Sequence, residues 1–126
     1  MRLLRLRGRK VCDRVQRQGS VWRGTHLHIR WMTGAPRHPS SQSSVTALYV
    51  GTVASTKLDK SAVKRNRMRR RCREALRLSL REGLETSGSL QLLIVPRSSS
   101  LKAPFEDLQK DIRLFLSAHA PRKETK

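Results

Sequence analysis

The sequence is short of acidic side chains, aromatic rings, cysteines and long apolar runs. Nine Asp and Glu residues stand against 28 Lys and Arg residues, so the formal charge is +19 on 126 residues. A compact body with this charge repels itself and attracts polyanions, and the expected partner is nucleic acid or an anionic membrane surface. The few carboxylates are scattered, which argues against a metal-dependent nuclease site built by the protein itself.

The absence of long apolar runs and the low number of cysteines narrow the class of protein further. No run of signal-peptide or transmembrane length follows the basic N-terminal residues, so we expect a cytoplasmic protein without a membrane partner. Cys12 and Cys72 lie in helical patterns with no Cys or His at ligand spacing, which predicts buried thiols rather than a disulfide or a zinc site. His26 and His28 share one face of a predicted strand without a third ligand. We therefore favour a structural or RNA-contacting role for them and expect no metal bound by the protein.

Hydrophobic periodicity predicts six elements in the order α-β-β-α-β-α. Apolar spacing of three and four indicates helices, and alternation or a short buried run indicates strands. The predicted helices cover residues 6–18, 62–82 and 104–118, and the predicted strands cover residues 25–33, 45–55 and 90–95. The strand, helix, strand order in the middle of the chain predicts a βαβ crossover. We therefore predict an α+β fold, a two-layer α/β sandwich built on one three- to four-stranded sheet.

The chain is long enough for one domain with its own core, which we place at residues 1–120. Residues 34–44 contain no apolar side chain larger than alanine and are predicted to be a flexible loop. Residues 121–126 are predicted to be a disordered basic tail.

A cationic segment dominates the predicted second helix. Between Lys57 and Arg73 nine of seventeen residues are Lys or Arg, and Asp59 is the only acid. Like charges one turn apart on a helix destabilise it by about a few tenths of a kcal/mol, a cost that a bound polyanion would offset. Solvated helix faces usually mix charge signs, whereas the acidic partner within this run is Glu74, one turn from Arg70. Nucleic-acid binding is therefore favoured over a merely solvated surface.

The cations of this helix surround a narrow apolar stripe. At about 100° per residue, Met68, Cys72 and Leu76 fall on one face together with Arg65. Arginine supplies a fork of donors suited to phosphate oxygens, and Asn66 both donates and accepts hydrogen bonds. The predicted RNA-binding residues are Lys57, Lys60, Lys64, Arg65, Asn66, Arg67, Arg69, Arg70, Arg71 and Arg73.

The few aromatic residues leave two interpretations open. Trp22, Trp31 and Tyr49 are suited to stacking on unpaired bases. Trp31 alternates with Leu27 and Ile29 along the predicted strand, so core packing is at least as well supported for it.

Residues 62–74 resemble the signature of the bacterial ribonuclease P protein subunit. The family pattern is Ala-Val-x-Arg-Asn-Arg, an apolar residue, Lys/Arg-Arg and a following Arg-Glu. The chain reads Ala-Val-Lys-Arg-Asn-Arg-Met-Arg-Arg-Arg-Cys-Arg-Glu. The similarity extends over residues 6–19, 49–55 and 90–97, which resemble the family's first helix, the strand before the signature and the last strand. The resemblance therefore covers most of the chain.

The resemblance implies a function that composition alone does not reach. Members of this family bind a large catalytic RNA and help it remove the 5′ leader from precursor tRNA, so the chain is expected to be a subunit of an endoribonuclease. The magnesium-dependent hydrolysis belongs to the RNA. This places Mg²⁺ with the RNA subunit and leaves the protein without a cofactor, catalytic residues or a small-molecule substrate. The resemblance also implies a left-handed βαβ crossover, in contrast to the usual right-handed rule.

The family binds its two RNA ligands at separate places. The Arg-Asn-Arg helix contacts the catalytic RNA, and a cleft between the first helix and the sheet takes the single-stranded leader. The residues carried over to the leader cleft are Val11, Cys12, Val15, Gln16, Leu27, Ile29 and Trp31. The family usually has aromatic side chains where Cys12 and Leu27 stand and often near Gln16, so we expect less base stacking here. The alternative is a ribosomal-type or RNA-chaperone protein, which would bind RNA without a role in tRNA processing.

Overall fold

A mixed five-stranded sheet forms the centre of the molecule. The computed structural model describes residues 1–36 and 46–120. The strands are β1 (Arg2–Arg5), β2 (Ser20–Arg23), β3 (Leu27–Thr33), β4 (Ala47–Thr52) and β5 (Leu90–Pro96), in the spatial order β1-β4-β5-β3-β2. β4 is parallel to β1 and β5, whereas β3 is antiparallel to β5 and β2. The predicted tail and most of the predicted loop at 34–44 lie outside the described residues.

Helices cover both faces of this sheet. They are α1 (Arg9–Gln18), α2 (Ala62–Arg81) and α3 (Phe105–Ala118), and a short 3₁₀ helix (Ser98–Leu101) precedes α3. One apolar cluster joins α2 and α3 to Leu92 and Ile94 of β5, and another joins α1 to Leu93. Because neighbouring residues of a strand face opposite sides, α1 lies on one face and the other two helices lie on the opposite face.

The predicted α+β class is confirmed, and so is the βαβ crossover, since β4 and β5 are parallel neighbours joined by α2. The sheet has five strands rather than three or four, and α1 adds a helix on the second face, beyond the predicted two layers. β1 and β2 are four-residue strands at the sheet edges, too short to show a clear period. β4 carries apolar side chains on both sides because both of its faces are covered. The hand of the crossover stays a prediction.

The first helix begins later than predicted because its first predicted turn belongs to the sheet. Gly8 has a φ of 97°, which favours glycine, and α1 begins at the next residue. The Leu6 N–H donates to the Val50 carbonyl at 3.0 Å and so continues the pairing of β1 with β4. Leu6 is buried beside Val11 and Val15 of α1 rather than lying on that helix. The other predicted boundaries agree to within a few residues.

The three aromatic residues considered for base stacking pack against the core, Tyr49 buried and the two tryptophans partly buried. Trp22 and Trp31 meet the ring of Phe115 on α3 edge-on, with ring centroids 5.7 and 6.4 Å apart. Tyr49 is buried on the other face, in the cluster that α1 covers. The structure therefore supports core packing over base stacking for all three.

Asp111 of α3 holds the turn between β2 and β3. Its buried carboxylate accepts the Thr25 N–H at 3.1 Å and the His26 N–H at 2.8 Å. Gly24 provides the space, since a Cβ at that position would lie 2.8 Å from Asp111 Cγ. Backbone donors offset the cost of burying a carboxylate, so this contact fixes the edge hairpin against α3.

Candidate nucleic-acid interface

α2 is rotated so that its apolar stripe faces the sheet and its charges face outward. The buried residues of α2 are Met68, Cys72, Ala75, Leu76, Ser79 and Leu80, as the 3.6-residue period predicts. Burial raises the pKa of the Cys72 thiol to about 12, so this residue is an apolar anchor and not a nucleophile. The helix begins after Ser61, which is its N-cap, since the Ser61 Oγ accepts the Lys64 N–H at 3.3 Å.

One flank of α2 opens onto a cationic recess, here called the Asn66 recess. It has a volume of about 430 Å³ and is lined by Arg5, Thr52, Asn66, Arg69, Arg70 and Arg73. Arg69 is held in place, since its guanidinium donates to Asn66 Oδ1 at 2.8 Å and to the Ala54 carbonyl at 2.9 Å. Arg73 Nη2 lies 3.5 Å from Thr52 Oγ1. Four guanidinium groups thus share one recess, which suits an anionic ligand.

The opposite flank of α2 opens onto a second recess, here called the Val63 recess. It has a volume of about 480 Å³ and is lined by Val63, Lys64, Arg67, Arg71, Leu101 and Lys102. Val63 is 78 % exposed although it is apolar. The Val63 recess therefore combines apolar surface with several cations.

Arg71, unlike the adjacent Arg70, has several hydrogen-bond partners within the described part of the fold. Its guanidinium donates to the carbonyl oxygens of Ser100, Leu101 and Ala103, and the bond to Leu101 is 2.8 Å long. These carbonyls belong to the 3₁₀ helix and the turn before α3. Arg71, one of the predicted RNA-binding residues, therefore ties α2 to this turn.

The other predicted RNA-binding residues differ in exposure. The exposed ones are Lys57, Lys60, Lys64, Asn66, Arg67, Arg70 and Arg73. Arg65 lies on the apolar stripe and is half-buried, and its Nε is buried without a hydrogen-bond partner among the described residues. A buried donor without a partner is uncommon in native proteins.

Glu74 does not pair with Arg70 as the one-turn spacing predicts. Its carboxylate pairs instead with Arg77, whose Nε lies 3.1 Å from Oε2 and whose Nη2 also donates to it. This hydrogen bond lowers the pKa of Glu74. Within the described chain, Arg70 is left without an ion pair.

The seven residues predicted to line the leader cleft do not come together. Val11, Cys12, Val15 and Gln16 belong to α1, on one face of the sheet. On the opposite face lie Leu27, Ile29 and Trp31, in the cluster with α2 and α3. Leu27 and Ile29 are at most 1 % exposed, so the prediction of a single cleft with all seven residues is wrong. Alternation defines two faces of β3 but does not show which of them α1 covers.

The structure forms a groove at a neighbouring place, between α1, β1 and β4. This groove, here called the α1 groove, has a volume of about 450 Å³, and its lining includes Cys12, Gln16, Val53, Leu93 and Arg73. Arg5, Thr52 and Arg73 line both this groove and the Asn66 recess, so the two are continuous. Burial, with a smaller contribution from Asp13, raises the pKa of the Cys12 thiol. The α1 groove therefore has an apolar floor and a cationic end.

Sequence reasoning missed several residues of these surfaces, among them three with polar or charged side chains. Arg5 lies on a four-residue edge strand, Thr52 ends β4, and Lys102 follows the 3₁₀ helix. The basic composition of the N-terminal segment was the available signal for Arg5, but nothing local indicated that β1 pairs with β4.

The contacts of the predicted histidine pair begin with His26, which has polar neighbours from the 3₁₀ helix and α3. His26 precedes β3, and its Nδ1 lies 2.9 Å from Ser99 Oγ, while its Nε2 lies 3.7 Å from Asp107. Across residues 1–36 and 46–120 no three His, Cys, Asp or Glu side chains converge as metal ligands would. In the same residues, every helix is too short or too polar to cross a membrane.

The fold and these surfaces define a class of protein, a small α+β domain whose long cation-rich helix lies between two recesses. The family profile described as Ribonuclease P matches residues 1–119. The chain belongs to the ribonuclease P protein family, whose members are protein components of a tRNA-processing endoribonuclease that also has an RNA subunit.

Relatives in several bacteria agree with this family. A ribonuclease P protein component from Prochlorococcus marinus is 33% identical over 104 residues, which are 79% of this chain and 81% of that protein. The one from Thermus scotoductus is 35% identical over 112 residues, which are 88% of this chain and 57% of that protein. The ribonuclease P protein of Thermotoga maritima has the same fold, with a TM-score of 0.69 at 18% identity over 90% of this chain and 96% of that one. The Staphylococcus aureus protein gives a TM-score of 0.63 at 13% identity over 90% and 93%.

Proposed function

We propose that this chain binds the catalytic RNA of ribonuclease P through both flanks of α2 and holds the 5′ leader of precursor tRNA in the α1 groove. It thereby assists the removal of the leader that yields the mature tRNA 5′ end. The observation that carries this proposal is the continuity of the α1 groove with the Asn66 recess through Arg5, Thr52 and Arg73. In this proposal the hydrolysis and its Mg²⁺ belong to the RNA subunit, and the protein supplies binding and position.

The two recesses beside α2 support binding to a folded RNA. Arg70 faces one recess and Arg67 faces the other, so one phosphate cannot meet both. An RNA with two strands near the helix is able to occupy both recesses at once. Its phosphates would offset the repulsion among the exposed cations of α2.

The α1 groove supports binding of a single strand. Its floor offers the partly exposed Cys12 and Val53 to a base, while Arg5 and Arg73 offer donors to the sugar-phosphate backbone. The groove residues contain no aromatic ring. We therefore expect van der Waals contact with bases and weaker stacking than an aromatic platform provides.

The proposed RNA contacts are tested by salt-titrated binding to a ribonuclease P RNA. Arg67→Ala and Arg70→Ala should each weaken binding and lower the salt slope by about one, because each removes one phosphate contact. Arg81→Ala is the matched control, since it removes an exposed arginine from the last turn of the same helix. Unchanged slopes for both test variants would overturn the assignment.

Leader removal distinguishes this function from that of a ribosomal-type or chaperone RNA-binding protein. The chain should stimulate cleavage of precursor tRNA by the ribonuclease P RNA at low magnesium, where the RNA alone is slow. The holoenzyme should also bind a precursor with a long leader more tightly than one with a one-nucleotide leader. Tight RNA binding without stimulation would favour the alternative. Stimulation of cleavage without an effect of leader length would support the contact with the catalytic RNA and contradict leader binding in the α1 groove.

A further inference from the structure

The outer edge of β1 presents backbone groups that no described strand pairs with. β1 is the last strand of the sheet, with β4 on one side and no described strand on the other. The Leu6 N–H points toward β4, since it donates to the Val50 carbonyl. Backbone groups alternate in direction along a strand, so those of Leu3 and Arg5 point away from the sheet. They offer a pairing edge to a further extended segment.

An apolar pocket lies beside this edge, on the face of the sheet that α2 covers. Its volume is about 230 Å³. It is lined by Met1, Leu3, Arg77, Leu80 and Arg81. Met1 is held in the wall of the pocket, because the Thr86 N–H donates to its Sδ at 3.5 Å. Directly paired residues share a face of the sheet, so a side chain opposite Leu3 would enter this pocket. The pocket therefore favours an apolar side chain at that position.

The charges of β1 define the complementary segment further. The strand reads Arg2-Leu3-Leu4-Arg5, and both arginines are exposed. No carboxylate of residues 1–36 or 46–120 forms an ion pair with either of them. Opposed residues of paired strands attract each other when their charges differ in sign and repel when the signs agree. The complement of β1 is therefore acidic, apolar, apolar, acidic, and the palindromic order of β1 accepts it in either direction.

The same pattern disfavours a second copy of this chain at the edge. Two antiparallel copies of β1 in full register would place Arg2 of each opposite Arg5 of the other, and two parallel copies would place each arginine opposite itself. Both arrangements oppose like charges and are destabilising. Charged side chains on edge strands are a common means of preventing such pairing. A nucleic-acid strand, for its part, lacks the alternating amide donors and carbonyl acceptors that extend a sheet.

We propose that the free edge of β1 binds an extended segment of an acidic partner protein by strand addition. Carboxylates of this segment lie opposite Arg2 and Arg5, and apolar side chains lie opposite Leu3 and Leu4. The side chain opposite Leu3 fills the pocket beside Leu80. This goes beyond the proposed function, since it assigns this chain a protein partner in addition to RNA.

The proposal is tested on the full chain with a fluorescein-labelled peptide whose central residues are Glu-Leu-Val-Glu. By fluorescence anisotropy it should bind more tightly than a peptide of the same composition with the order Leu-Glu-Glu-Val, since that order places carboxylates opposite the leucines. Binding should slow hydrogen exchange at the outward amides of Leu3 and Arg5 and leave the Leu4 amide unchanged. Equal affinity of the two peptides, or unchanged exchange at both outward amides, would overturn strand addition.

Charge reversal separates pairing at this edge from general attraction to a basic protein. Arg2→Glu should weaken binding of the Glu-Leu-Val-Glu peptide by about three- to tenfold, because a pair of unlike charges becomes a pair of like charges. Lys110→Glu is the matched control, since it makes the same change of charge at an exposed position of α3. It should change the affinity by less than about twofold, because salt screens distant charges.

Restoration of binding by the opposite charge shows which residues face each other. Two further peptides each carry one lysine, in place of the first or the last glutamate of Glu-Leu-Val-Glu. One of them should regain affinity for the Arg2→Glu protein, and its identity gives the direction of the added strand. Equal weakening by Arg2→Glu and Lys110→Glu, or no restoration by either peptide, would contradict the proposal.

A short single-stranded RNA distinguishes the two classes of partner. It should leave hydrogen exchange at Leu3 unchanged and should not discriminate between wild type and the Arg2→Glu protein more than the Lys110→Glu control does. If it instead displaces the peptide and slows exchange at Leu3 as the peptide does, the edge binds nucleic acid and the proposed protein partner is wrong.

Discussion

Arg70 and Arg71 are neighbours with the same side chain, but their surroundings give them different roles. Arg70 is exposed and lines the Asn66 recess. Arg71 donates to three backbone carbonyls of the turn before α3. The run of arginines that predicts RNA binding therefore includes a residue that holds the fold. No composition argument separates the two, because the difference lies in what each guanidinium reaches.

Replacing Arg71 with alanine should destabilise the free protein by about 1–3 kcal/mol, because carbonyl acceptors lose their donors. Arg70→Ala should change stability by less than about 0.5 kcal/mol, since its side chain is exposed. Urea denaturation of both variants measures this difference. An Arg71→Ala protein of wild-type stability with a reduced salt slope for RNA binding would contradict the assignment.

His28 couples the stability of the free protein to pH. Burial, and then the charges of Arg30, Arg97 and Arg23, lower the pKa of His28 below its ordinary value of 6.5. The unfolded chain therefore binds a proton at this residue more readily than the folded protein. The stabilising contribution is complete above pH 6.5 and is lost as the pH falls through the folded-state pKa.

The measurement compares wild type with His28→Gln, which keeps a polar side chain that does not titrate. Between about pH 7.5 and about pH 5.5, the wild type should lose more stability than the variant in urea denaturation at constant ionic strength. The same pH dependence in both proteins would show that His28 is not the group responsible.

At the scale of elements, α2 follows from its sequence and the edge strands do not. The apolar residues of α2 recur with the helical period over more than three turns, and Ser61 stands at the N-cap, so its limits and buried face were predictable. β1 and β2 have four residues each and gain their stability from pairing with β4 and β3. The pairing of β1 with β4 joins residues distant in sequence, which a local period does not report. β2 is joined to β3 by a short turn, but four residues are too few to show a period.

The Asp111 carboxylate joins the β2–β3 hairpin to α3, and its removal should destabilise the whole fold. Asp111→Ala should destabilise the protein by roughly 2–4 kcal/mol, because the Thr25 and His26 N–H groups lose a charged acceptor. Asp111→Asn, which keeps one acceptor oxygen, should lose about half as much. Urea denaturation gives both values, and the role would be refuted if the alanine variant were as stable as the wild type.

At the scale of the whole molecule, the α1 groove exists because three separate segments meet. Leu3 and Arg5 come from the N-terminal strand, Cys12 and Gln16 from α1, and Val53 from the end of β4. None of these segments has a binding signature of its own. The groove becomes visible only after β1 pairs with β4 and α1 covers the second face of the sheet.

Alkylation of Cys12 tests whether the α1 groove takes the leader. Cys72 is fully buried with a pKa of about 12, whereas Cys12 is half-buried at the groove. Iodoacetamide at about pH 9 should therefore modify Cys12 first in the native protein, since reaction requires an accessible thiolate. The modified holoenzyme should lose affinity for a long-leader precursor and keep its affinity for the catalytic RNA.

Cys12→Ser protein treated in the same way is the control for that experiment, since its groove carries no thiol to modify. Mass spectrometry of peptides locates the label. Full retention of leader affinity after complete modification of Cys12 would exclude the groove as the leader site.

The sequence by itself determined the α+β class, the limits and rotation of α2 and the membership of the ribonuclease P protein family, because these depend on local periods and a contiguous motif. Only the tertiary structure decided that Leu27, Ile29 and Trp31 face α2 and α3 while His28 and Arg30 face the α1 side. Alternation along a strand separates two faces, but which helix covers each face depends on how the whole core packs. The α1 groove, the different roles of Arg70 and Arg71 and the surroundings of His28 all result from that packing.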